Sequence, residues 1–305
     1  MKSYLSILRL SHWSKNIFIF VALIFGGGLV GPIRDVLSAV GITLAGFFCF
    51  SLAASAVYIF NDIIDRKTDI LHPEKRNRAI ASGAVTVSQA AVISVGCAAA
   101  AIVWSYAIVR ELAIVIAIYI GLMVLYSLLL KRMMILDCVA ISIGFCLRAV
   151  AGAVIVGVFI SPWLLICTFA LCLFLGFGKR RSEIEQLGKD SESFRKTLAG
   201  YTPELLSHML DVTSGLAVVC FLLYAMDERT LRVFGTNNLV YTTPLVLYCI
   251  FRFSALIQKG KYSDPVQFIL RDLPFQIAFC IWVLACIGII YADKLKLNFG
   301  NTWAF

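Results

Sequence analysis

Three aspartates, Asp62, Asp65 and Asp69, stand at i, i+3 and i+7 in the run Tyr58-Ile59-Phe60-Asn61-Asp62-Ile63-Ile64-Asp65-Arg66-Lys67-Thr68-Asp69. On a helix this spacing puts all three carboxylates on one face. Clustered carboxylates repel one another unless a cation sits among them. An all-oxygen donor set favours Mg²⁺, which keeps waters and substrate phosphates in its shell. The pattern reads as a site for a Mg²⁺-bound diphosphate, with Asp62, Asp65 and Asp69 as metal ligands and Asn61 beside them. The alternative is a solvated helix end balanced by Arg66 and Lys67, but acids at a helix C-terminus oppose its dipole.

Basic residues follow within reach. In His72-Pro73-Glu74-Lys75-Arg76-Asn77-Arg78-Ala79-Ile80, Lys75 and Arg78 come soon enough after the acids to hold the same phosphate, the arginine bidentately. Arg76 fits a topology signal equally well, and His72, ahead of a proline turn, reads as structural. Tyr126-Ser127-Leu128-Leu129-Leu130-Lys131-Arg132 puts a phenol at a membrane boundary with Lys131 one turn beyond, although an aromatic-belt residue with a snorkelling lysine looks the same. Arg148 lies well inside an apolar run, in Gly144-Phe145-Cys146-Leu147-Arg148-Ala149-Val150-Ala151-Gly152. There it calls for an anionic partner, a bound phosphate or a protein acid such as Asp211. A second polar stretch opens Gly178-Lys179-Arg180-Arg181-Ser182-Glu183-Ile184-Glu185 and closes Arg195-Lys196-Thr197-Leu198-Ala199-Gly200-Tyr201-Thr202-Pro203. Lys179 and Glu183 form an i, i+4 pair, which a surface ion-pair helix would also show. His208, Asp211 and Thr213 suit packing or a cavity equally.

The elements that position these groups are membrane helices. Hydrophobic residues make up 60% of the 305 and charged ones 15%, outside the range of water-soluble chains. A net charge of +9 would suit nucleic acid, but the basic residues fall in short clusters between apolar runs, so no nucleic acid is expected. A bilayer core of about 30 Å needs about 20 apolar residues per crossing. Nine runs qualify: 17–33, 36–60, 87–108, 112–130, 135–158, 162–178, 204–226, 238–257 and 272–291. The segment Met1–Asn16 carries Arg9, Trp13 and Lys15, lacks the pattern of a signal peptide, and reads as an interfacial helix. With the N-terminus inside, the outer segments hold only Arg34, Arg110, Arg229, Arg232, Lys294 and Lys296 of the Lys and Arg residues, which predicts N-in, C-out. The long polar loops 61–86 and 179–203 then share the cytoplasmic face and cap one transmembrane domain, 1–305, that divides into two related halves. At membrane depth, acids are costly and usually functional, which favours the metal reading. All ten cysteines fall inside apolar runs without metal-type spacing and read as small core residues.

Asn61-Asp62-x-x-Asp65-x-x-x-Asp69 and the Tyr126 to Lys131 pair resemble the UbiA-type intramembrane prenyltransferase superfamily, over nearly the whole length. The resemblance implies an all-α fold of nine transmembrane helices around a central cavity. Members typically carry a second aspartate-rich motif after the sixth span; here that place reads Lys179-Arg180-Arg181-Ser182-Glu183, with no Asp until Asp190. A basic second site is similar to the branch comprising decaprenyl-phosphate phosphoribosyltransferases. Also similar are Trp13-x-Lys15-Asn16, His72-Pro73-x-Lys75-x-x-Arg78, Arg148-Ala149-Val150-Ala151-Gly152, Tyr201-Thr202 and Asp264-Pro265. The resemblance implies Mg²⁺-dependent transfer of 5-phosphoribose from phosphoribosyl diphosphate onto a polyprenyl phosphate in a bacterial inner membrane. Asp62, Asp65, Asp69 and Asn61 would hold the metal and diphosphate, with Lys75 and Arg78 neutralising it. Lys179, Arg180 and Glu183 would meet the 5-phosphate or ribose hydroxyls; Tyr126, Lys131 and Arg148 would steady a phosphate; and Lys15, Asn16 and Tyr201 would complete the substrate contacts. An aromatic prenyltransferase using a polyprenyl diphosphate and an organic-phosphate transporter are the rival readings, and a homo-oligomer stays open.

Overall fold

The computed structural model describes residues 2–29, 32–71, 75–187, 198, 200–258, 269 and 271–300. His72, Pro73, Glu74, Asp190, Arg195, Lys196, Asp264 and Pro265 lie outside these. The described residues form helices joined by turns and short loops, without strands, and nine of these helices are long and apolar enough to cross a membrane. The protein is a multi-pass membrane protein. Eight of the nine spans open within three residues of their sequence-derived starts. Two boundaries move. The first span is Ser3–Phe25 rather than 17–33, so by length and composition it takes in residues read from the sequence as lying ahead of it. The cause is local: the N–H of Gly26 donates to Ala22 O at 2.8 Å and Gly27 turns at φ 83, which stops the helix. The second span extends as one 39-residue helix, Ile33–Leu71. At 1.5 Å per residue that is about 58 Å, so it outruns a hydrocarbon core of about 30 Å.

The chain divides into two compact units, Met1–Ile160 and Ser161–Phe305. The first holds α1 (Lys2–Ile7), a 3-10 segment (Leu10–Ile19), α2 (Phe20–Phe25), α3 (Ile33–Leu71), α4 (Val87–Ile108), α5 (Arg110–Leu128) and α6 (Leu136–Val156). Its core gathers Phe50, Ala53, Ala54 and Val57 of α3 with Leu112, Ile116 and Tyr119 of α5, Ala151 and Ile155 of α6, and Ile19. Small residues let the backbones close up, as expected where lipid removes most of the hydrophobic drive between helices. Gly152 shows the tightest case, since a Cβ there would lie 1.9 Å from the carbonyl oxygen of Ile19. A second cluster joins Ile7 of α1, Ile59 of α3, Ile80 and Val85 of the following loop, and Ala90 of α4. The loop ends in a capping box: Gln89 N donates to the Thr86 hydroxyl at 3.3 Å and Thr86 N to Gln89 Oε1 at 3.1 Å. Val92, Val95, Val103, Trp104 and Tyr106 leave α4 with an exposed apolar face suited to lipid.

The second unit holds α7 (Pro162–Leu187), α8 (Pro203–Met226), α9 (Glu228–Phe234), α10 (Thr243–Gln258) and α11 (Leu273–Gly300). α7 packs along α8, and α10 against α11. Thr202 caps α8 by accepting from Leu205 N at 3.1 Å, with Pro203 opening the helix. Arg252 of α10 grips Asp272 with two bonds, 2.5 and 3.0 Å, and Asp272 also accepts from Phe275 N at 3.0 Å, which fixes the start of α11.

Replacing Gly152 by Ala drives a methyl into the Ile19 backbone and should cost about 3 kcal/mol or more, because backbone cannot yield as a side chain does. Gly96→Ala on α4, with open space around it, should change stability by less than about 1 kcal/mol. Labelling of the buried Cys49, Cys138 and Cys172 by a thiol-reactive dye during heating in detergent reads both.

Candidate active site

The acids on α3 meet three cations, each brought by a different segment. Asp62 Oδ1 accepts from Arg9 Nη2 at 2.5 Å and from Arg78 Nη1 at 3.0 Å. The same Arg78 Nη1 donates to Asp69 Oδ2 at 2.7 Å, so one guanidinium bridges two carboxylates about two helical turns apart. Lys131 Nζ donates to Asp65 Oδ1 at 2.5 Å and to Asn61 Oδ1 at 3.2 Å, and Asn61 Nδ2 closes the triangle on Asp65 Oδ2 at 3.0 Å. Asp62 and Asp69 are each only 6% exposed at the side chain, so these pairs sit where screening by water is weak.

Local folding explains the delivery. The cluster around Ile59 and Ile80 pins the loop onto α3, and Arg78 N bonds to Lys75 O at 2.9 Å at the end of the 3-10 turn Lys75–Asn77. Lys131 rides on the 3-10 turn Leu130–Arg132 that follows α5, with Tyr126 half-buried one turn earlier. Arg9 stands between α1 and the 3-10 segment at φ 50, ψ 51. Among the described residues only Arg9 and Ile135, at φ 69, are non-glycines with positive φ, and each lies at or just after a cation that meets the acid face. Arg9 escaped the sequence reading, although a charged residue inside a run apolar enough to cross the membrane was the available signal.

Arg148 belongs to a second, separate network. It is 4% exposed; its Nε donates to Asn16 Oδ1 at 2.7 Å, Nη1 to Gly144 O at 2.7 Å, and Nη2 to the Tyr119 hydroxyl at 3.0 Å. Its guanidinium lies over the rings of Phe50, Tyr119 and Phe145 at 5.2, 4.8 and 5.0 Å. The expected acidic partner is therefore corrected: no carboxylate bonds Arg148 among the described residues, and Asp211 is exposed on α8. Neutral acceptors and ring faces hold the charge instead. Asn16 in turn donates to the Ser51 hydroxyl at 2.9 Å, and Trp13 Nε1 to Ser55 at 3.0 Å, which docks the N-terminal segment on α3. Lys15 is half-buried on that segment.

In the second unit, Lys179, Arg180 and Glu183 lie on the C-terminal part of α7. Buried Arg180 donates to Glu183 at 2.6 Å, so this glutamate pairs at i, i+3. Arg181 bonds Glu185 at 2.9 Å, Pro203 O at 3.0 Å and the Ser207 hydroxyl, tying α7 to the start of α8. Tyr201, also buried, sets its ring edge-on to Phe177 with centroids 6.5 Å apart. Thr213 bonds back to Met209 O at 2.6 Å, and His208 is exposed.

Among the described residues no three His, Cys, Asp or Glu side chains are arranged to hold a metal ion. Asp62, Asp65 and Asp69 share one face of α3, and their carboxylates are engaged by Arg9, Arg78 and Lys131. The donors still fit Mg²⁺, which needs only one or two protein carboxylates when phosphate and water complete its shell.

The profile of the UbiA prenyltransferase family matches residues 16–292. The chain belongs to the UbiA prenyltransferase family. It is therefore a transferase. Decaprenyl-phosphate phosphoribosyltransferase of Mycolicibacterium smegmatis is 32% identical over 284 residues, 90% of this chain and 88% of the relative. The Corynebacterium glutamicum protein of that name is 30% identical over 287 residues, 93% of this chain and 85% of the relative. A UbiA homologue from Archaeoglobus fulgidus, solved with GPP and Mg²⁺, superposes with a TM-score of 0.70 over 94% of this chain and 99% of its own at 18% identity, which establishes the fold.

Within this UbiA fold, Arg148→Lys keeps the charge but loses the planar fork. It should lower stability by about 1–3 kcal/mol in the same dye-monitored melt, because Asn16, the Gly144 carbonyl and Tyr119 cannot all be satisfied by one ammonium.

Proposed function

We propose that the protein transfers 5-phosphoribose from phosphoribosyl diphosphate to a polyprenyl phosphate, with Mg²⁺, at the cytoplasmic face of a bacterial plasma membrane. The observation that carries this reading is the pairing of an acid face with cations that it does not need to keep. Asp62, Asp65 and Asp69 supply hard oxygen ligands, while Arg9, Arg78 and Lys131 stand within hydrogen-bond reach of them. A metal-bound diphosphate would satisfy both sets.

Mg²⁺, when bound, neutralises the departing diphosphate. The chain's residues do the rest by position and charge. Arg78 and Arg9 hold the diphosphate oxygens as negative charge grows on them, and Lys131 holds Asp65 and Asn61 in place. The bond from the anomeric carbon to the diphosphate oxygen breaks with its electron pair leaving on the diphosphate. The lipid phosphate oxygen forms the new bond to that carbon. That oxygen is already anionic, so no protein nucleophile or base is required, and positioning supplies most of the acceleration. Buried Arg148, saturated by Asn16, Gly144 and Tyr119, acts as a support for the N-terminal segment that carries Arg9.

On α7, Lys179 and Arg180 suit a phosphate, where an acidic motif would suit a second metal. This separates the reading from an aromatic prenyltransferase, and the names of the two relatives point the same way. The positive-inside distribution of Lys and Arg supports the N-in, C-out orientation.

Purified protein given Mg²⁺, polyprenyl phosphate and radiolabelled phosphoribosyl diphosphate should move label into the lipid phase, and EDTA should stop it. Asp62→Asn and Asp65→Asn should each lower the rate by about 10²-fold or more while the melt stays cooperative. Turnover of a prenyl diphosphate with an aromatic acceptor and no lipid label would overturn the assignment.

A further inference from the structure

We propose that Arg9 is an exchangeable counter-ion of Asp62: it occupies the carboxylate when no substrate is bound and passes to the diphosphate when Mg²⁺ takes that carboxylate. Mg²⁺ and diphosphate then bind strongly only together. The proposal rests on reading the acid face as a Mg²⁺-diphosphate site and adds how that site is kept in the absence of ligand.

The geometry singles out Arg9. One oxygen, Asp62 Oδ1, accepts from both Arg9 and Arg78, so an ion approaching it must displace a guanidinium. Arg78 has a second carboxylate in Asp69 and keeps a partner if Asp62 is taken. Among the described residues Arg9 has no second carboxylate, and the Tyr58 ring lies 5.3 Å from its guanidinium carbon. Arg9 also sits in the left-handed backbone region, a conformation that a non-glycine residue holds only when its surroundings impose it. A cavity of about 170 Å³ opens beside the pair, lined by Ser6, Ile7, Arg9, Asp62, Asn77 and Arg78 among others, and gives an anion room next to both guanidiniums.

Charge balance gives the coupling. Mg²⁺ alone must pull Asp62 from Arg9 and leave that guanidinium poorly screened. An anion alone must draw Arg9 away and leave Asp62 with one counter-charge fewer. Together the ligands swap partners with the protein, and every charge keeps a neighbour of opposite sign. Each ligand therefore raises the affinity for the other by the same factor, as linkage requires.

Calorimetric titration of the full chain in detergent tests this with two probes, Mg²⁺ alone and preformed magnesium pyrophosphate. In Arg9→Gln, Asp62 loses its competitor while the diphosphate loses a donor. Mg²⁺ alone should bind several-fold tighter than to wild type and magnesium pyrophosphate about tenfold weaker, opposite signs that general loss of structure cannot produce. Arg9→Lys should restore the wild-type order. If Arg9→Gln weakens both probes, leaves Mg²⁺ alone unchanged, or is matched by Arg9→Lys, the exchange is overturned while the functional reading stands. If wild type takes no magnesium pyrophosphate, the Mg²⁺-diphosphate reading falls, and the exchange with it.

Discussion

Charge that leaves the bulk of water must be balanced nearby, and the architecture of the first unit follows from that constraint at the end of α3. Three carboxylates on one helical face, two of them nearly buried, would repel one another through a medium that screens poorly. The protein balances them with cations from three places in the chain: the N-terminal segment, the loop after α3, and the turn after α5. The apolar clusters of these segments set where the charges can go. The Ile59–Ile80 cluster places Arg78, and the α3–α5 core places Lys131. Packing and electrostatics are satisfied by the same arrangement.

The N-terminal segment is the member of this set with the most attachments. Trp13 and Asn16 hold it to serines of α3, Leu8 accepts from Ser55 at 2.8 Å, and Ile19 presses its backbone against Gly152 of α6. These contacts sit on both sides of Arg9 and fix where its guanidinium can reach. The left-handed backbone at Arg9 is the geometric consequence of joining α1 to a 3-10 segment anchored in this way.

Two arginines illustrate two ways of holding a cation in such a protein. Arg148 is enclosed by neutral acceptors and three ring faces, with nothing that a ligand could displace without breaking the core. Arg9 is held by one carboxylate oxygen at the rim of a cavity. The first arrangement is permanent because its partners are themselves buried structure. The second is open to competition, because a divalent ion and an anion offer each half of the pair a stronger partner. The proposed transfer would draw on both kinds, a rigid frame and counter-charges that can move.

The sequence by itself determined the membrane architecture, the nine spans, and the acid face. Those features are written in local pattern: runs of about 20 apolar residues, and aspartates at helical spacing. Arg78 and Lys131 were legible as cations that suit a phosphate, but their pairing with the aspartates was not. Three things were decided only by tertiary structure. The glycine run at Gly26–Gly28 ends the first span at Phe25, and the segment before it packs on α3. That packing brought Arg9 onto Asp62 across fifty-three residues of chain, a contact that no periodicity encodes. It also gave Arg148 its neutral box from Asn16, Tyr119 and Phe50, residues that look like ordinary packing until three helices meet. Spacing along one helix is fixed by the geometry of the backbone and can be read from sequence. Which cation settles on which carboxylate depends on how helices close on one another, and that is a property of the folded chain.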